Sequence, residues 1–249
     1  MRTFASRAAT FRTQALVVRT VPFAEADLVV TLFTQALGHL AAIAPRARST
    51  SPKNRRILEP MHTLDVVLRD RPAGALLSLV SSQIARPRLG ILSDLDRMKT
   101  AGTVLRWVRQ TAPYRTPETD LWKLIEELLD ALDQTALRAS PRALLVVAGF
   151  RLLECLVYGL DLGACVVCGR PCPPERPAFV DPVRGGLVCR RCGGAGRLLS
   201  GAIRQRMLLA LQGQAEVLEQ DIAPLLGLLE AALVAHTNIR PEGAEAISR

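Results

Sequence analysis

"QALVVRTVPFAEADLVVTLFTQALGHLAAIA", residues Gln14–Ala44, decides the fold of this chain. It contains three apolar, β-branched runs: "QALVVRTV" (Gln14–Val21), "DLVVTLFT" (Asp27–Thr34) and "GHLAAIA" (Gly38–Ala44). Val, Ile, Thr and Phe suit a pleated, half-buried backbone, so each run predicts a strand. Working outward, "MHTLDVVLR" (Met61–Arg69) and "ALLSLVSS" (Ala75–Ser82) repeat the pattern. Gly38 and "DRPAG" (Asp70–Gly74) supply the turn chemistry that antiparallel hairpins need. Five strands in about seventy residues, with the longest gap between the third and fourth, predict a small closed barrel of OB type over residues 1–82. An SH3-like barrel is the alternative.

The period changes after "ARPRLGILSDLD" (Ala85–Asp96). Ser93 or Asp94 can cap a helix through "RMKTAGTVLRWVRQTA" (Arg97–Ala112), and Pro113 and Pro117 break the pattern. "ETDLWKLIEELLDALDQ" (Glu118–Gln134) places Leu121, Leu124, Ile125, Leu128, Leu129 and Leu132 on one stripe. Its Glu126, Glu127, Asp130 and Asp133 are expected on a solvated face. "SPRALLVVAGFRLLECLVYGL" (Ser140–Leu160) has Ser140 at the cap and Pro141 in the first turn, and is apolar nearly all round, as a central bundle helix is. Cys155 on it is expected in the core. "SGAIRQRMLLALQGQ" (Ser200–Gln214) and "IAPLLGLLEAALVAHTNI" (Ile222–Ile239) add two C-terminal helices. The fold class expected is α+β and multidomain: the barrel, a helical domain of residues 83–162 and 199–249, and a ribbon insertion of residues 163–198.

That insertion holds Cys165-x2-Cys168 and, after twenty residues, Cys189-x2-Cys192. Two CxxC turns that face each other can close a tetrahedron of thiolates around one structural Zn²⁺. Gly169 and Gly193 follow the two turns where backbone N–H groups must swing toward sulfur, and "FVDPVRGGLVC" (Phe179–Cys189) reads as two short strands between them. A thioredoxin-like redox pair is the rival, but it needs its CxxC at a helix start within a βαβ unit. Cys172 is spare and can compete with Cys168 as ligand, though the two-residue spacing favours Cys168. Arg170, Arg190, Arg191 and Arg197 surround the knuckles. They either touch a polyanion or balance the charge of four thiolates, and spacing leaves both readings open.

Of the 249 residues 49% are hydrophobic and 22% charged, so the chain buries a core and is not disordered. "ALLVVAGF" (Ala143–Phe150) is too short for a membrane span, and the N-terminal "MRTFASRAATFR" lacks the apolar stretch of a secretory signal. Six cysteines in a chain that is not exported point to metal or redox chemistry over disulfides. Net charge is +9, and residues 1–80 alone carry eleven Lys/Arg against five Asp/Glu. Arg46, Arg48, Lys53, Arg55 and Arg56 fall without an acid in "APRARSTSPKNRRIL" (Ala44–Leu58), the connection after the third strand. In an OB barrel that connection borders the ligand face, so these five, with Arg12 and Arg19, are the candidate nucleic-acid-binding residues. Arg2 and Arg7 extend the basic surface, and Phe11 and Phe23 are candidate base-stacking rings, with Phe33 placed in the core. No Walker loop, HExxH, GxSxG or dinucleotide fingerprint is present, and His39, His62 and His236 are scattered, so a binding protein is expected and not an enzyme.

The order of parts, with "ALVVRTVPFAEADLVVTLFTQALGHL" (Ala15–Leu40), "LEP" (Leu58–Pro60), "LLECLVYGLDLGACVVCG" (Leu152–Gly169) and "GGLVCRRC" (Gly185–Cys192), resembles the bacterial recombination mediator family RecO. Glu25, Asp27, Thr34 and Gly38 fall where the family's first hairpins have them, and the likeness spans Gln14 to Leu199. Ala44-Pro45 before Arg46 departs from it, since the family commonly places a glycine there. The resemblance implies a cytoplasmic DNA repair and recombination protein that binds single- and double-stranded DNA, anneals complementary strands and helps load RecA on strands covered by single-strand-binding protein. It implies a complex with the RecR ring and contact with the acidic C-terminal tail of single-strand-binding protein, with no membrane or small-molecule substrate. Arg106, Trp107, Arg109 and Arg142 are the candidate residues for that tail. The other readings are an RNA-binding or ribosome-associated zinc-ribbon protein and a thiol redox enzyme.

Overall fold

The computed structural model describes residues 9–48, 58–71 and 76–237. Five strands, β1 (Thr10–Phe23), β2 (Asp27–Thr34), β3 (Gly38–Ala44), β4 (Thr63–Arg69) and β5 (Leu77–Arg86), close into a barrel in the order β1-β2-β3-β5-β4. All neighbours are antiparallel except β3 and β5, which run parallel at Ala42–Leu77. This Greek-key closure is that of an OB barrel and removes the SH3-like alternative.

Strand β1 is longer than its sequence pattern indicates because it serves two partners. Its first half pairs with β4 and its second with β2, and Ala15 is shared between them. The register slips between Val17 and Arg19, a bulge that adds one residue and bends the strand around the barrel. Ala15, Val17, Val30, Leu32, Leu40 and Ala42 belong to the inner core, where small and large side chains alternate to fill a narrow lumen. Leu16 and Phe33 lie on the outer face and are nonetheless fully buried, with the Phe33 ring 5.6 Å from that of Trp122.

Two compact units divide the chain, residues 1–93 with 105–122 and residues 94–104 with 123–249. After a single helical turn, α1 (Leu89–Leu92), which the sequence reading lacked, α2 (Leu95–Thr111) and α3 (Thr119–Asp133) follow. Asp94 caps α2 by accepting the Arg97 N–H at 2.8 Å. The predicted α3 stripe is buried throughout, but so is Glu126, at 9% exposure, while Asp130 and Asp133 are half-buried. The solvated face is therefore narrower than the spacing suggests.

In the second unit α4 (Pro141–Cys155) packs on α5 (Gly201–Leu211) and α6 (Glu219–His236). Ser140 accepts the Ala143 N–H at 3.2 Å, the expected cap. The helix stops five residues before the predicted end. Val157 takes φ +66 and the Tyr158 N–H returns to the Leu153 carbonyl, a left-handed closure that sequence does not announce because valine rarely adopts it. Cys155 ends the helix half-buried. A second sheet, order β6-β8-β7-β9, is formed by β6 (Asp161–Cys165), β7 (Ala178–Asp181), β8 (Gly186–Leu187) and β9 (Arg197–Leu199). Among the described residues no helix is long and apolar enough to cross a membrane.

Candidate metal centre and nucleic-acid surface

Strand β6 ends in Cys165, and its parallel neighbour β8 ends two residues before Cys189. The pairing brings both knuckles to one end of the sheet. Gly169 (φ +68) lets its N–H return to the Cys165 carbonyl at 2.8 Å, and Gly193 (φ +102) closes the 3-10 turn Arg190–Cys192. Both glycines occupy the backbone region expected of them.

The sulfurs of Cys165, Cys168, Cys189 and Cys192 all lie within 4.8 Å of one another, and Cys168 Sγ is 3.9 Å from Cys189 Sγ. Four thiolates at about 2.3 Å from a tetrahedral ion sit about 3.8 Å apart, so the cluster has the dimensions of a four-sulfur metal site. Soft thiolate donors suit Zn²⁺ or iron and disfavour Mg²⁺ or Ca²⁺. The Cys189 N–H donates to Cys165 Sγ at 3.4 Å and is the main cause that lowers the Cys165 thiol to about 6. Cys192 moves the other way, to about 12, because hydrogen bonds with the Cys189 and Cys168 sulfurs hold its proton. Four thiolates fill a tetrahedron, which leaves no open position for substrate.

Cys172 lies outside the cluster. Its sulfur accepts a hydrogen bond at 3.3 Å from Arg204 Nη1. Arg204 is fully buried and holds the backbone beside the cluster, a role the sequence reading missed. The signal was its place on the buried stripe Gly201, Arg204, Met207 and Ala210, a charge at an apolar position. Of the knuckle arginines, Arg197 donates to the Gly227 carbonyl at 3.0 Å, Arg190 lies over the Phe179 ring, and Arg170 and Arg191 are exposed.

The barrel's cations are distributed unevenly. Arg19, Val21 and Phe23 alternate onto one exposed face of β1, which leads into the β1–β2 hairpin through the Phe23–Asp27 pair. The turn after β3 is held against that hairpin: the Arg46 N–H donates to the Asp27 carboxylate at 2.8 Å and the Arg48 N–H to the Ala26 carbonyl at 2.9 Å. Arg46 takes φ +54, a conformation glycine adopts more easily. Structure therefore brings Arg46 and Arg48 to the end of the hairpin that carries Phe23, with Arg19 four residues back along the same hairpin, opposite Thr31. Arg12 is exposed opposite Val67 of β4, about 23 Å along the strand from Arg19. Lys53, Arg55 and Arg56 lie outside the described residues, as do Arg2 and Arg7. Phe11 packs against the barrel core and Phe23 is 47% exposed.

Trp107 is 3% exposed in the core of the first unit, so it offers no surface to a partner, contrary to the sequence expectation. Arg106 and Arg109 are half-buried on α2, and Arg142, in the second unit, pairs with Glu219 at 3.5 Å. The histidines have structural surroundings. His62 is buried, accepts the Arg88 N–H at its Nδ1 and faces Glu59 at 3.5 Å. Burial and then the Arg109 charge lower His39, which keeps it neutral. His236 stacks on Tyr158.

A family model described as Recombination protein O N terminal matches residues 8–88, and one described as Recombination protein O C terminal matches residues 92–241. The chain belongs to the RecO family. Relatives named DNA repair protein RecO agree with this. That of Anaeromyxobacter sp. (strain K) is 32% identical over 218 residues, covering 85% of this chain and 84% of its own. That of Myxococcus xanthus (strain DK1622) is 31% identical over 233 residues, covering 91% and 92%. The chain is thus a RecO-family DNA repair protein, built on an OB-like barrel followed by helices and a four-cysteine cluster fit for a metal ion.

Proposed function

We propose that this RecO-family chain is a non-enzymatic cytoplasmic mediator that binds single- and double-stranded DNA, anneals complementary strands and assists RecA loading together with RecR. Its working parts are the barrel of residues 1–82, the helical domain of 83–162 and 199–249, and the ribbon of 163–198, with Zn²⁺ bound by Cys165, Cys168, Cys189 and Cys192 as a structural ion. The observation that carries the DNA reading is the collection of Arg19, Arg46 and Arg48 with exposed Phe23 at the β1–β2 hairpin. Guanidinium forks suit phosphate oxygens, and an aromatic face beside them accepts a base. Phosphates carry no sequence, so binding is sequence-tolerant and salt-dependent. Arg106 and Arg109, three residues apart on α2, are the cations proposed for the acidic tail of single-strand-binding protein.

The test is a titration of labelled single-stranded DNA at several salt concentrations, with the wild type and an Arg19/Arg46/Arg48→Ala variant. Weaker binding with a salt slope shallower by about 0.7 per lost contact is expected. Unchanged affinity and slope would remove the hairpin end from the DNA path. A strong preference for RNA strands over DNA would favour the ribosome-associated reading instead.

A further inference from the structure

Against the metal knuckles, with Cys165 and Cys189 forming part of its floor, the second unit holds a cavity of about 320 Å³, within the size range of small-ligand sites. Pro171, Pro173 and Pro177 form stiff walls, and Phe179 and Leu198 supply apolar surface, Leu198 being 63% exposed on β9. Arg170, Arg176 and Arg190 also line it, and no carboxylate does among the described residues. The Arg190 guanidinium lies 5.9 Å from the centre of the Phe179 ring, so the ring already takes a planar cation on its face.

This groove is built rather than left over. Fully buried Arg204 donates to the Cys172 carbonyl at 2.9 Å, to the Pro173 carbonyl at 3.2 Å and to the Arg176 carbonyl. One guanidinium thereby fixes the backbone of the wall that carries Arg176. A wall held from behind loses little further freedom when it is occupied, which is the condition for useful affinity.

We propose that the groove is a second contact for single-stranded nucleic acid: one unstacked base takes the place of the Arg190 guanidinium on the Phe179 face, and the flanking phosphates sit on Arg170, Arg176 and the released Arg190. The proposal rests on the DNA-binding reading above and adds a site on the ribbon to it. An aromatic face among cations is the arrangement that holds any base without choosing its sequence. A duplex keeps its bases stacked inside, so the groove strengthens binding of single strands and not of duplexes. An acidic peptide would share the arginines, but it has no planar ring to match the Phe179–Arg190 pair.

The experiment uses the full-length, metal-loaded protein and a single strand that carries 2-aminopurine, whose fluorescence is quenched on stacking. Wild type is compared with Phe179→Leu and, separately, with Arg170/Arg190→Ala, both at positions outside the metal ligands. Metal content measured for each variant reports whether the ribbon is assembled. The expected result is that Phe179→Leu removes the quenching. Each variant also loses about tenfold in single-strand affinity, while duplex affinity stays that of wild type. Metal-loaded variants that quench and bind as wild type does would overturn the groove and leave the barrel reading intact. Equal losses for single strand and duplex overturn it too, as does a groove that takes an acidic peptide which no oligonucleotide displaces. A wild type that binds no nucleic acid at all would sink both readings together.

Discussion

Arg204 has no exposed surface, yet among the described residues no carboxylate pairs with it. Its nitrogens donate instead to the carbonyls of Leu162, Cys172, Pro173 and Arg176 and to the Cys172 sulfur. A planar fork of five N–H groups spreads one charge over several carbonyl dipoles; an ammonium has three donors on a single atom. Arg204→Lys is therefore not conservative. With three donors for five acceptors it leaves at least two of them unanswered, at least one a carbonyl, each costing about 1–3 kcal/mol. We expect a loss on the order of 3 kcal/mol, read as a lower urea midpoint with metal bound. A midpoint within error of wild type would mean that water replaces the lost donors. Arg206 on the same helix is paired in the usual way, at 2.5 Å from the nearly buried Asp221, and that carboxylate raises the guanidinium further.

Among the elements, the two knuckles have the least core of their own. Four cysteines, two glycine-relieved turns and strands of two to five residues make up the ribbon, so a bound ion contributes on the order of 10 kcal/mol to its local folding. Chelation is expected to expose the four thiols to a thiol reagent, whereas with metal bound Cys172 reacts slowly under the guanidinium of Arg204. The pH dependence follows from the two shifted thiols. Cys165, lowered to about 6, keeps its thiolate above that pH and takes a proton as pH falls through it. Cys192, raised to about 12, holds its proton throughout the neutral range, and the ion must displace it. Metal affinity therefore rises with pH across the neutral range and drops steeply below about 6. Metal content that stays flat on acidification from pH 7.5 to 5 would show that protons do not compete for these sulfurs.

For the molecule as a whole, the two tryptophans provide a selective signal. Trp107 and Trp122 both belong to the first compact unit, whereas the four clustered cysteines belong to the second. Removal of the metal is expected to change thiol reactivity and leave tryptophan emission where it was. A red shift in emission on chelation would show that the barrel unit unfolds with the ribbon. Charge is divided along the chain as well: residues 1–80 carry a balance of +6 and residues 201–249 one of −2. Attraction to a polyanion is thus concentrated at the barrel end of the sequence, with a smaller surplus in the ribbon.

Short-range chemistry is readable from the chain alone. Alternating β-branched runs announced all five barrel strands. Ser140 followed by Pro141 announced the start of α4, the 3.6-residue stripe announced α3, and the CxxC spacing with Gly169 and Gly193 announced the four-sulfur cluster. Each of these depends on neighbours within a few residues. The remaining features depend on packing between distant segments. Gly38 was legible as a turn glycine (φ +67), but a Cβ there would also strike the Thr116 backbone, which lies far along the chain. Trp107 looked available beside two arginines and is buried, because which face of α2 meets the core depends on elements distant in sequence. Valine at φ +66 ended α4 early against its own propensity. Arg204 was one more cation in a helix until folding brought the Cys172–Arg176 carbonyls around it. Local pattern sets the elements, whereas burial and polar satisfaction are properties of the packed chain, and it is there that a side chain acquires its role.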